Sequence, residues 1–163
     1  GVLFQVGSDP VLVRYAKKNI EIGAKHAGRE LSDIKLYQRL ACAVADGREQ
    51  VRAEARGYAS VAAHTIYTGI PKEDMPEELW EDLRIMNEQY DYQQHGSMEA
   101  KQAEFITDRI LDAVAIAGTP EEAVPRFKEL IDLGVENFVL PIATKEPDAI
   151  IKMLAEKVMP KLQ

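Results

Sequence analysis

Apolar residues along this chain follow two spacings. Continuous runs at residues 2–6, 40–45 and 135–140 carry little polar alternation, the pattern of strands buried on both faces. Between these runs, apolar residues recur three or four apart. Val13, Ala16, Ile20, Ala24 and Ala27 make one stripe, and Val51, Ala55, Tyr58, Ala59 and Ala62 make another. The first stripe predicts a helix over residues 9–27, with Asp9 as its cap, Pro10 at its first position and Gly28 at its close. The second predicts a helix over residues 48–64.

Residues 33–46 suit a strand, and a third helix signal stands at "GTPEEAVPRFKELIDLG". There Thr119 and Glu122 have capping-box spacing, Pro120 starts the helix and Gly134 stops it, while Pro125 removes one backbone hydrogen bond inside it. A last helix is expected over residues 147–157. The stretch 67–96 breaks the rhythm: it is acidic, holds Pro71, Pro76 and the single Trp80, and ends in "YDYQQHGS". It reads as a mainly helical insertion with one short helix over 77–88, and residues 98–114 read as helical in one or two pieces.

The order is therefore strand–helix, strand–helix–insertion–helix, strand–helix, which calls for parallel pairing in an α/β fold with at most three strands. Three parallel strands leave two open edges. The pattern is that of a single portion, residues 1–163, of a larger assembly.

Composition narrows the class. Forty-six per cent apolar and 29% charged residues are ordinary for a globular chain, and a net charge of −7 disfavours a nucleic-acid surface. No apolar run reaches the ~20 residues of a membrane helix. The N-terminus lacks the order of a secretion signal, and the lone Cys42 sits in an apolar run as a small hydrophobe; a cytoplasmic location is expected.

Candidate chemistry is sparse. No metal-site spacing joins the three histidines and Cys42, so no metal and no catalytic residue is assigned. His26 and His64 end helices and belong to no motif. His95 and Gly96 lie among aromatic and amide side chains and are read as substrate-pocket or subunit-interface residues. At Gly7-Ser8 a parallel strand passes into a helix, and such turns expose backbone N–H groups that hold an anion or a cofactor's polar tail.

Together, "GVLFQVGSDPVLVRYAKKNIEIGAKHAGRELSDI", "QQHG" and "FITDRILDAVAIAGTPEEAVPRFKELIDLGVENFVLP" resemble the bacterial-luciferase-like superfamily. The nearest branch is similar to the deazaflavin-dependent methylenetetrahydromethanopterin reductases. That resemblance implies a (β/α)8 TIM barrel, here partial, with about its last three βα units. Residues 1–6 would be the sixth barrel strand, 36–44 the seventh and 138–140 the eighth.

It also implies hydride transfer between a small-molecule substrate and FMN or the deazaflavin coenzyme F-420. Val6, Gly7 and Ser8 would be neighbours of the cofactor tail, and most of the active site would lie in a missing N-terminal half. The isolated chain would be inactive, as a homo-oligomer or in association with that half. The segment "PIATKEPDAI" lacks the reductases' glycine-rich form, which leaves the substrate open. The competing reading is a cofactor-free α/β module that self-associates through its open edges.

Overall fold

Five short strands, every one paired in parallel, set the architecture. The computed structural model describes residues 1–97 and 100–162. The order is β1 (Val2–Phe4), α1 (Pro10–His26), β2 (Leu36–Arg39), β3 (Ala41–Val44), α2 (Arg48–Gly69), α3 (Glu77–Glu88), α4 (Asp108–Val114), β4 (Ala115–Gly118), α5 (Pro120–Asp132), β5 (Asn137–Val139) and α6 (Pro147–Met153). A wider turn at Leu154–Val158 and a 3₁₀ turn at Met159–Lys161 continue α6.

Two parallel sheets form, in the orders β1-β2-β5 and β3-β4. In the first, Val2 pairs with Leu36, and Tyr37 with Asn137; in the second, Ala41 pairs with Ala115. Parallel neighbours require long connections, and helices supply them.

Local signals account for the helix ends. The Asp9 carboxylate accepts from the Val11 N–H at 2.7 Å and the Leu12 N–H at 3.4 Å. Thr119 and Glu122 close a capping box on α5, and Pro125 lies within that helix. The first stripe buries Val13, Ala16 and Ala24 together with Leu12, whereas Ile20 is half-buried and Ala27 is exposed.

The structure corrects four expectations. Residues 115–118, which the pattern assigned to no strand, form a fully buried strand, so the described residues hold five strands and not three. Four all-apolar or glycine residues carry no periodicity, and the partner strand β3 decides their state. The run 36–44 is divided at Leu40, where the two sheets meet. Helix α2 continues past His64 to Gly69, since no breaker stands before Pro71. Finally, β5 is not buried on both faces: Val139 is 43% exposed, and Asn137 and Phe138 are half-buried.

The main core gathers both faces of the β3-β4 sheet, the inner sides of α1 and α5, and the buried faces of α2, α3 and α4. Its largest fully buried side chains include Leu12, Leu40, Ile66, Leu83, Leu111, Ile116 and Leu130. Residues 67–96 fold onto α2 through α3, whose Leu79, Leu83 and Met86 join the same core. Of the 98–114 expectation, Met98 and Glu99 lie outside the described residues; the rest is a 3₁₀ turn at Lys101–Phe105 and α4. No described helix is long and apolar enough to cross a membrane.

Candidate functional site

The Gly7-Ser8 turn leaves β1 with a backbone shape that glycine suits. Gly7 has φ +76°, and a Cβ there would lie 2.3 Å from the Ala113 carbonyl oxygen. The chain thus runs directly against the last turn of α4. The N–H groups of Ser8 and Asp9 both donate to the Ala113 carbonyl, at 2.7 and 3.0 Å. On the other side, the fully buried Gln38 of β2 donates its amide to the Gly7 carbonyl. Its Oε1 has no hydrogen-bond partner among the described residues.

Ser8 is buried, and its hydroxyl lies 3.0 Å from the Asp112 carbonyl and 3.1 Å from that of Ala115. It accepts from Arg126 of α5 at 2.6 Å, and the same guanidinium also donates to the Asp112 carbonyl. Burial pulls Arg126 below the usual arginine range, with the Asp112 charge opposing.

Arg52 of α2 is almost completely buried. It donates to Asp112 at 2.7 Å, to Asp108 at 3.0 Å and to the Ala117 carbonyl at 3.1 Å. Burial alone would lower its pKa, but the hydrogen bonds from Arg52 to Asp112 and Asp108 outweigh that and raise it. Asp108, also bonded by Arg56 at 2.6 Å, is held below the usual aspartate range, first by its bond from Arg52. Glu122 is likewise held low by Arg48, at 2.7 Å, and by the Thr119 N–H.

A groove of about 760 Å³ opens beside this network. Its walls carry Ser8, Asp9, Glu77, Glu78, Arg109, Asp112, Arg126 and Glu129. Carboxylates outnumber arginines there, so the groove favours cationic over anionic groups.

His95 and Gly96 lie elsewhere, beyond the end of α3. The Tyr90 hydroxyl meets His95 Nδ1 at 2.7 Å, and Tyr90 stacks on His64 with ring centroids 4.1 Å apart. The His64 Nδ1–H donates to Asn87 at 2.6 Å, leaving Nε2 to accept from the Tyr92 hydroxyl at 3.1 Å. His64, without a motif in the sequence, is therefore linked to His95 through Tyr90. Arg52, Asp112 and Arg126 also escape sequence reasoning. They stand among other charged helix residues with nothing local to single them out, and their partners are remote in the chain.

No described group of three or more His, Cys, Asp or Glu side chains is arranged to hold a metal ion. Cys42 is buried, and burial pushes its thiol up to about 12.

Comparison with known proteins bears on the whole chain. The 5,10-methylenetetrahydromethanopterin reductase of Methanolobus tindarius is 30% identical over 162 residues, which cover 98% of this chain and 47% of that protein. The same reductase of Archaeoglobus fulgidus is 26% identical, across 100% of this chain and 48% of its own length. The chain thus spans about half the length of the curated relatives it matches.

The coenzyme F-420-dependent tetrahydromethanopterin reductase of Methanopyrus kandleri shares the fold with a TM-score of 0.72 at 24% identity, over 100% of this chain and 45% of that structure. A riboflavin lyase solved with modified FMN and riboflavin gives a TM-score of 0.53 at 20% identity, over 99% of this chain and 38% of its own. The model of the luciferase-like monooxygenase family matches residues 1–137, and the chain belongs to that family.

Proposed function

We propose that residues 1–163 are the C-terminal part of a deazaflavin- or flavin-dependent oxidoreductase that, when complete, moves hydride between its cofactor and a small-molecule substrate. The observation that carries this reading is the family match over residues 1–137, on a chain whose strands are all parallel. In this reading the chain is one portion of a barrel, with residues 67–96 as an insertion. Coenzyme F-420 and FMN are the two cofactors in question, since they accompany the reductase and the lyase that share the fold. Such a cofactor supplies the redox chemistry; a protein supplies orientation and exclusion of water.

The residues present do not fit a phosphate cradle. The N–H groups of Ser8 and Asp9 are taken by the Ala113 carbonyl, those of Val11 and Leu12 by the Asp9 carboxylate, and the neighbouring groove is rich in carboxylates. Val6, Gly7 and Ser8 are accordingly assigned van der Waals contact with a cofactor tail and no donor role. His95 and Gly96, beside Tyr92, are assigned to a pocket rim or interface. No step of hydride transfer falls to a residue of this chain, and the 163-residue chain alone is expected to be inactive.

The test is titration of FMN and coenzyme F-420, followed by fluorescence, into the product of the complete reading frame and into the 163-residue chain. The complete protein is expected to bind one cofactor and turn over, and the shorter chain to show no turnover. A complete protein that binds neither cofactor overturns the reading.

A further inference from the structure

The peptide unit that joins Gly7 to Ser8 is held at both ends. Its carbonyl oxygen accepts from the Gln38 amide, and its N–H donates to the Ala113 carbonyl at 2.7 Å. One clamp comes from β2 and the other from the last turn of α4, so two elements remote in the chain fix the plane of this peptide. Glycine leaves the backbone free to take several shapes here, and the two bonds select one of them.

Gln38 holds its end at a cost. The side chain is fully buried, and the residues level with it on the neighbouring strands are Phe4 and Phe138. Its nitrogen must face the Gly7 carbonyl, because only the nitrogen can donate. That leaves Oε1 enclosed with no partner among the described residues. An unpartnered acceptor removed from water opposes folding, and an apolar side chain of the same length would not carry that penalty. With Gln38 at 0% exposure, no group beyond the chain reaches it to supply the missing bond. Polar groups kept against stability mark places where function sets the geometry.

We propose that Gln38 is a positioning residue for the cofactor: by clamping the Gly7–Ser8 peptide, it keeps in one shape the surface of the turn that borders the cofactor tail. The inference rests on the oxidoreductase reading, in which Val6, Gly7 and Ser8 are that border. Gln38 touches neither cofactor nor substrate and acts through the Gly7 carbonyl. Its effect therefore falls on binding of the tail, which is the same in ground and transition states, and not on the hydride step.

The experiment compares the product of the complete reading frame with its Gln38→Met variant. Methionine keeps the length of glutamine, removes the unpartnered Oε1 and leaves the Gly7 carbonyl unpaired. These changes offset, so the melting temperature is expected to move by less than about 5 °C. Fluorescence titration with FMN and with coenzyme F-420 is expected to show the dissociation constant of the cofactor that binds raised about tenfold or more. Turnover at saturating cofactor should fall by a smaller factor. Gln38→Asn, polar but too short to reach Gly7, should lose affinity in the same way. A folded Gln38→Met protein that binds its cofactor as tightly as the wild type overturns the proposal and leaves the redox reading standing. A wild type that binds neither cofactor overturns both. If neither variant folds, Gln38 serves stability alone and the proposal falls.

Discussion

Arg126 of α5 donates to the hydroxyl of Ser8 at 2.6 Å, across 118 residues of chain, and so ties the first strand–helix turn to the fourth helix and β4. Each side chain satisfies the other in a buried setting. Ser8→Ala and Arg126→Met are each expected to lower stability by about 1–2 kcal/mol. Because they share one interaction, the double variant should lose less than the sum, by at least about 0.5 kcal/mol. Urea denaturation of the four proteins measures this, and strict additivity would refute the coupling.

Two glycines in the left-handed region separate conformational strain from steric clash. Gly28, with φ +66°, has nothing within 4 Å of a built Cβ, whereas Gly7 faces the Ala113 carbonyl. Gly28→Ala should cost about 1 kcal/mol. Gly7→Ala, which must also displace backbone, should cost at least about 2–4 kcal/mol. Thermal melts showing equal losses at the two positions would contradict the close approach at Gly7.

The Arg52 network gives stability a defined pH dependence. Asp108 is held below its ordinary range in the folded state, mainly by the bond from Arg52. Its folded pKa is thus lower than its unfolded value of ~3.9, so the folded state favours the ionised form. The resulting stability is present above that value and is lost as pH falls through the folded one. Arg52→Met should destabilise by about 1–3 kcal/mol at neutral pH, because the Ala117 carbonyl loses its partner. The gap between the two proteins should narrow below about pH 4. Melting temperatures measured from neutral to acidic pH decide it, and a constant gap would remove Asp108 from the account.

Cys42 provides a probe of opening. With its thiol pushed up to about 12 by burial, it should resist a thiol reagent at mildly alkaline pH in the native state and react at once in denaturant. Rapid labelling of the native protein would mean that β3 opens without global unfolding.

His64 is the pivot of the segment that follows α3. His64→Ala removes the Tyr90 stack and the bonds to Asn87 and Tyr92. Amide hydrogen exchange over residues 90–97 should then accelerate by about tenfold or more, while the β3-β4 core stays protected. Unchanged exchange there would show that the segment is held by other contacts.

The helix ends were legible because their signals are local. Asp9 and the Thr119–Glu122 box act within three residues, and both cap their helices as the spacing predicts. Strand β4 was not legible, since Ala115 to Gly118 carry no pattern of their own and follow a helix without a break. The candidate site divides in the same way. Gly7-Ser8 can be picked out as a turn, but its donors belong to Ala113, a residue far along the chain.

By itself, then, the sequence determined the alternation of strands and helices, hence parallel pairing, and the family to which the chain belongs. The alternation and parallel pairing rest on short-range periodicity and capping, and the family on the resemblance its motifs carry. Tertiary structure alone decided that β4 exists, that β5 stands as an exposed edge, that Arg126 and Arg52 are drawn against Asp112, and that Tyr90 links His64 to His95. Each of these depends on which distant groups share a buried space, because a polar group removed from water must find a partner wherever the fold brings one.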